Sequence, residues 1–400
     1  MSLKHILHLI VVICITTSLI PVVTSAKETP TIRSETAILI DGKTGQVLYE
    51  KNSSEEMYPA SITKIATALM AVKSNKMDEM VTVSENARAA EGTRVYLKEG
   101  ETVPLDKLVK GMMINSGNDA AIAIAEHLSG DVESFSNELN EFLSEEVGVQ
   151  NTHFVNPNGL FDKEHLTTAE DMAKITQYAM KNEEFRSLFG MKQMTWNGED
   201  WETTLINHHR LLLDYDFVTG GKNGYVSKSG FTLVTTASKG DQELIVVTMK
   251  ATDDKIAYQD TLNLLNYGFS DFTPVEFEKG TELGVVNQKK YSLSEDITLY
   301  QNDDHPIDLT LSNENQLVSV GNSYRSNLDL ELLTTTSIES NDPEQKTEAK
   351  PVAQVKDEET ESIFSSSTIL YLGIGIFLFI IICLIFGRSN TSVKRHRTFP

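Results

Sequence analysis

Apolar and polar residues alternate through "SETAILIDGKTGQVLYEKN" on both sides of a glycine-containing turn. That period of two predicts a β-hairpin. The next stretch, "YPASITKIATALM" (Tyr58 to Met70), is largely apolar and predicts a helix that begins at Ser61. From about Leu105 to Ala173 the spacing is three and four. "LDKLVKGMMINSGNDAAIAIAEHLSG" keeps apolar residues on one helical face and stops at Gly130, and "TTAEDMAKITQYAM" opens with Thr167 and places Glu170 three residues on, a capping-box pattern. Strands return from Phe217 to Lys250, where "SGFTLVTTAS" and "ELIVVTMKA" flank the turn "KGDQ"; "YQDTLNLLNYGFSDF" then predicts one more helix. Strands, a helical middle and strands again predict an α+β fold, a sheet with an inserted helical subdomain. Near Phe272 the texture becomes short alternating runs with turn residues, which predicts a small all-β domain over 273–336. Residues 337–362 are polar, contain proline and lack apolar periodicity, as expected of a flexible stalk. No internal repeat is present.

The two ends follow different rules. Residues 1–26 carry Lys4, an apolar run from Ile6 to Val23 and small residues up to Ala26, the layout of a secretory signal peptide. Ile363 to Phe386 is apolar for more than twenty residues without a charge, long enough to span a bilayer. A transmembrane helix is therefore expected at 363–387, with a basic tail at 388–400 containing Arg388, Lys394, Arg395 and Arg397. Positive charge stays on the cytoplasmic side, so the body is expected outside, anchored to the membrane by one C-terminal span.

Composition narrows the chemistry. The only cysteines, Cys14 and Cys383, lie in the end segments. The body thus has no disulfide, no cysteine nucleophile and no cysteine–zinc site. Five of the 35 basic residues lie in the ends, whereas all 57 acidic residues lie between them, leaving the body near −27. Such a surface argues against nucleic acid as a partner. His208 and His209 are adjacent, no H-E-x-x-H occurs, and no metal or other cofactor is expected.

Lys64 is the odd residue in its helix, among Ile62, Ile65, Ala66, Leu69 and Met70. Ser61 lies three residues before it, on the same helical face. A lysine in an apolar setting loses proton affinity and becomes a base, and the N-terminal dipole favours negative charge near the serine. Together they form an activated nucleophile without histidine. The plainer alternative, a capping serine and a snorkelling lysine, stays open on this motif alone. A second element is "INSGNDAA", where Ser116 and Asn118 flank Gly117 between two apolar stretches, fit to relay a proton and to hold a substrate amide. The competing Ser84-Glu85-Asn86 lies in a hydrophilic stretch and reads as a cap or exposed turn. A third is Lys222-Asn223-Gly224, a lysine opening a strand beside glycine, suited to a carboxylate. The literal Lys43-Thr44-Gly45 is the turn of the first hairpin and precedes the serine, so it is set aside.

In this order the three elements resemble the serine penicillin-binding protein and β-lactamase superfamily, and most closely its D-alanyl-D-alanine carboxypeptidases. "ILIDGKTGQVLYEKN", "GMMINSGNDAAIAIAEHLSG" and "THFVNPNGLFDKEHLTTAEDMA" add to the likeness, which is dense over 32–272. The resemblance implies a β-lactamase/transpeptidase-like catalytic domain over 27–272. It makes Ser61 the nucleophile, Lys64 its general base and Ser116 the shuttle to the leaving amine. Asn118 would position the peptide, and Lys222 with Asn223 and Gly224 would bind its terminal carboxylate. Backbone N–H groups of Ser61 and Tyr225 would form the oxyanion hole. The implied partners are peptidoglycan stem peptides ending in D-Ala-D-Ala, and β-lactams as covalent inhibitors; the cysteine-free body and the C-terminal span suggest a Gram-positive envelope. One departure stands out: the family motif is Lys-Thr-Gly, and Asn223 replaces the threonine. Rival readings on the same fold are a D,D-endopeptidase or transpeptidase and a β-lactamase. For the last, the E-x-x-x-N from Glu133 to Asn137 follows Asn118 too closely. A catalytically silent wall-binding protein is the rival from another class.

Overall fold

The computed structural model describes residues 29–337, apart from 287–288, 304–305, 312–316, 322–323 and 328–332. The expected signal peptide, the stalk beyond 337, the membrane span and the basic tail lie outside the described residues. Among the described residues no helix is long and apolar enough to cross a membrane.

Five antiparallel strands form the central sheet. In chain order they are β1 (Thr36–Asp41), β2 (Val47–Lys51), β3 (Val218–Val226), β4 (Gly230–Lys239) and β5 (Gln242–Ala251). Across the sheet they run β2-β1-β5-β4-β3. The first and last strands in sequence thus meet in the middle, with Leu39 opposite Val246. The expected hairpins are both present, 36–51 and 230–251.

Helices cover both faces of this sheet, so β1 (Thr36–Asp41) is buried at every position and does not alternate between core and solvent as the sequence pattern of that hairpin predicts. Ile38, Ile40, Ile245, Val247 and Met249 face a large core of helices. Their neighbours Ala37, Leu39, Leu244 and Val246 face a second core on the other side. The period of two sends alternate residues to opposite layers. The second layer is built on α7 (Asp254–Asp271), through Leu264 and Leu265. The first layer holds α1 (Lys64–Lys73), α2 (Leu105–Asn115), α3 (Asn118–Ser129), α4 (Val132–Phe142), α5 (Ala169–Met180) and α6 (Glu183–Phe189). All six lie between β2 and β3 in the chain, so the helical insertion is real.

Two boundaries differ from expectation. The α-helix does not start at Ser61: Ala60–Thr63 is a 3-10 turn, and α1 begins at Lys64. Ala60 there has φ of +51°, which interrupts regular helix. The cap of α5 is Thr168, whose hydroxyl accepts from Asp171 N–H at 3.0 Å. Thr167 instead pairs its backbone with Met57 and its hydroxyl with Thr152. A further hairpin, Gln193–Asn197 with Glu202–Ile206, was not anticipated; it buries Trp196 against the helical core.

Beyond α7 the described residues form only short strands. Thr273–Phe277 pairs with Ile297–Gln301, and Glu282–Val286 with Lys289–Leu293. Buried Gln46, in the β1–β2 turn, ties this region to the sheet. Its side chain donates to Tyr300 O at 2.7 Å and accepts from Tyr300 N–H at 2.8 Å.

Candidate active site

Ser61 stands in the 3-10 turn and Lys64 opens the helix behind it. The spacing brings Lys64 Nζ to 3.0 Å from Ser61 Oγ. Lys64 does not snorkel: it is fully buried. Its other contacts are Asn118 Oδ1 at 2.7 Å and the Asn158 carbonyl at 2.6 Å. A neutral amine has two hydrogens and one lone pair. The two oxygens are acceptors only, so they take the hydrogens and leave the lone pair for the Ser61 hydroxyl. Burial is the first cause that drives the Lys64 pKa well below its ordinary 10.5, and the nearby charge of Lys222 adds to it; Asp119 works the other way.

The second element forms because α2 cannot continue into α3. Ser116 takes a left-handed conformation at φ 60° and Gly117 leads into the next helix, so Ser116 and Asn118 sit on a tight junction. Asn118 Nδ2 donates to Glu91 O at 2.6 Å, which turns its Oδ1 toward Lys64. Its backbone N–H is held by Thr93 O at 2.7 Å. Buried Asp119 anchors the same loop, accepting from the N–H groups of Val95 and Leu97 at 2.9 and 3.1 Å. Asn118 therefore orients the lysine.

The third element comes from β3. Lys222 is buried, and its Nζ donates to Ser116 Oγ at 3.1 Å and to Asn223 O at 2.9 Å. Burial lowers its pKa from 10.5 to about 7. Two residues on, Gly224 lies against Ser61: a Cβ there would stand 2.6 Å from Ser61 N and 3.0 Å from Ala60 Cβ. Only glycine lets the strand approach the Ser61 backbone this closely. Tyr225, next in line, is exposed and packs on Phe231. Gly224→Ala is expected to slow covalent modification of Ser61 by a serine-directed acylating reagent about 100-fold, the effect of a misplacement near 1 Å. Adduct formation over time measures it; an unchanged rate would mean the strand does not set this geometry.

The structure thus gathers Ser61, Lys64, Ser116, Asn118, Lys222 and Gly224. Asn223 is placed differently. Neighbours on a strand point to opposite faces, and its side chain lines a cavity of about 290 Å3 with His208, Arg210, Phe231, Asp254 and Tyr258. That lining includes none of Ser61, Lys64, Ser116, Asn118 or Lys222. Arg210 there pairs with Asp254 and stacks on Tyr258. The competing motifs are structural. Ser84 caps a short helix by accepting from Ala87 N–H at 2.9 Å, and Lys43-Thr44 form the hairpin turn held by Asp41. Glu133 is exposed in the first turn of α4. His209 is buried, meets Thr235 Oγ1 at 2.9 Å, and is pushed by burial to about 3. Among the described residues no group of three or more His, Asp or Glu side chains is placed to hold a metal ion.

Sequence reasoning missed the Asn158 carbonyl. The turn that supplies it is built by Asn156, whose Oδ1 accepts from Gly159 N–H at 2.7 Å. The signal was the Asn-Pro-Asn-Gly run, which marks a turn; a backbone acceptor has no signature of its own.

The D-alanyl-D-alanine carboxypeptidase model of peptidase S11 matches residues 23–253. The chain belongs to that family. Within it, the D-alanyl-D-alanine carboxypeptidase DacF of Bacillus subtilis is 34% identical over 264 residues, covering 64% of this chain and 68% of that protein. DacD of Escherichia coli is 32% identical over 269 residues, again 64% and 68%. Among solved structures, penicillin binding protein 5 from Haemophilus influenzae superposes with a TM-score of 0.65 at 27% identity, covering 78% of this chain and 98% of that one. A mutant of the Streptomyces K15 DD-transpeptidase gives 0.58 at 27% identity, covering 60% and 100%. The α+β architecture with its helical insertion is thus the penicillin-binding-protein fold of the family.

Proposed function

We propose that this chain is a serine-type D-alanyl-D-alanine carboxypeptidase that removes the terminal D-alanine from peptidoglycan stem peptides. The observation that carries this is the Lys64 amine, buried and supplied with two acceptors so that its lone pair meets Ser61. Ser61 Oγ passes its proton to Lys64 and attacks the penultimate D-alanine carbonyl. The N–H groups of Ser61 and Tyr225 receive the oxyanion. Ser116 hands its proton to the leaving amine and is reprotonated with the proton that Lys64 took from Ser61, so D-alanine departs and Lys64 is a free amine again. Water, with Lys64 as base, then clears the acyl-enzyme.

Lys222 keeps one N–H beyond its contacts to Ser116 and Asn223, and it is suited to the substrate's terminal carboxylate. That anion would raise the Lys222 pKa and keep it charged, and the Lys222 charge in turn keeps Lys64 neutral. Asn223→Thr is expected to leave the Michaelis constant for peptide and kcat unchanged, because the Asn223 side chain lines the cavity with His208 and Tyr258 and not the site of Ser61 and Lys222. A lower Michaelis constant would mean that the position touches substrate.

β-Lactams are read as covalent inhibitors of the same serine. The body is placed outside the membrane on the strength of its two end segments, 1–26 and 363–387. The deciding experiment is D-alanine release from a pentapeptide ending in D-Ala-D-Ala, run beside the lifetime of the penicillin adduct. Release with a persistent adduct supports the carboxypeptidase; rapid loss of the adduct supports a β-lactamase. Transfer to an added amine without net hydrolysis supports the transpeptidase reading, which the likeness to the Streptomyces K15 enzyme keeps in play.

A further inference from the structure

Ala60, directly before the nucleophile, is a fully buried non-glycine residue with φ of +51°. Such a residue is strained and persists only where its surroundings hold it. Its carbonyl accepts from Thr63 Oγ1 at 2.9 Å. It also faces the gap left by Gly159, where a Cβ would come within 1.9 Å of the oxygen. The Thr63 hydroxyl proton is committed to Ala60 O, so Thr63 Oγ1 can only accept from His165 Nε2, 2.9 Å away. His165 Nδ1 accepts from Val155 N–H at 3.1 Å. Every proton in this chain has one direction: Val155 to His165, His165 to Thr63, Thr63 to Ala60. The ring is neutral, buried and stacked on Phe154 at 4.9 Å.

The loop that His165 closes, 153–166, also delivers the two backbone acceptors behind the site. Asn158 O meets Lys64, and Pro157 O accepts from Thr67 Oγ1 at 2.6 Å. We propose that His165 is a positioning residue for the reaction read above. Through Thr63 it holds the left-handed turn at Ala60, and so aims the Ser61 N–H at the oxyanion in register with the lysine's acceptor. It touches neither substrate nor the reacting atoms.

The test uses the full chain and the rate of Ser61 acylation by benzylpenicillin, with circular dichroism as the folding control. His165→Leu and Thr63→Val should each slow acylation about 10- to 100-fold. Together they should cost no more than one alone, because they break a single chain. His165→Gln keeps an N–H donor and should restore most of the rate. Glycine adopts positive φ without the clamp, so Ala60→Gly should recover acylation in the His165→Leu background. A merely structural histidine would not be rescued there. The pH profile of His165→Gln should keep the parental shape, since burial holds His165 at about 3 and it stays neutral in the working range. Parental acylation in folded His165→Leu, no rescue by Ala60→Gly, or a lost limb in the His165→Gln profile would each overturn the proposal. A parent chain that penicillin does not acylate at all would instead sink the reading of Ser61.

Discussion

Ser61→Ala is expected to abolish D-alanine release and the penicillin adduct, with a loss of about 10⁴-fold or more, as for other serine nucleophiles acting as part of a unit. Folding should be nearly unaffected, because the hydroxyl's one structural partner is Lys64 Nζ at 3.0 Å. Lys64 keeps Asn118 and the Asn158 carbonyl without it. The measurement is amino acid released per enzyme, with thermal melting alongside. Residual release near the parental level would leave the chain's activity without this nucleophile. Full cellular function in the substituted protein would favour the silent wall-binding role.

Lys64→Arg should lower the acylation rate about 10²- to 10⁴-fold, the usual worth of a general base. Arginine keeps a positive charge but does not deprotonate in proteins. In the parent the free amine is the active form, so the acylation rate should rise with pH through the depressed Lys64 pKa; the variant should lack that limb. A parental pH limb in Lys64→Arg would assign it to another group. The same burial has a sign in stability. The folded lysines release their protons at lower pH than the unfolded chain does, so between the two values the unfolded state binds more protons. Stability then rises with pH. For Lys222 the window runs from about 7 up to 10.5, and for Lys64 it opens at its own depressed value. Lys222→Met should flatten that rise, read as melting temperature against pH.

Much of this site was legible because its parts are side chains in patterned elements. Lys64 was conspicuous among apolar neighbours, Ser116 and Asn118 broke a helical run, and Lys222 stood beside glycine after it, although it lies in the middle of β3 and does not open the strand as expected. What stayed hidden is backbone. The carbonyls of Glu91, Thr93 and Asn158 hold Asn118 and Lys64 in place, and any residue could supply a carbonyl. The left-handed Ala60 was invisible for the same reason, since alanine advertises helix. The orientation of Asn223 escaped because the motif fixes the order of residues and the pleat fixes their faces. The hairpin around Trp196 was missed because its outward residues are exposed and its strands are short.

The helical insertion also sets when the enzyme can first work. Lys64 finds Asn118 across 54 residues and Asn158 across 94, and Lys222 finds Ser116 across 106. Contacts this distant in sequence form late and slowly. A chain emerging from its N-terminus exposes serine and lysine long before the strand carrying Lys222 exists. Until β3 docks, Ser116 lacks Lys222 and the Ser61 backbone lacks Gly224 beside it, and the site is incomplete. Labelling by a β-lactam would therefore time the closing step of folding itself.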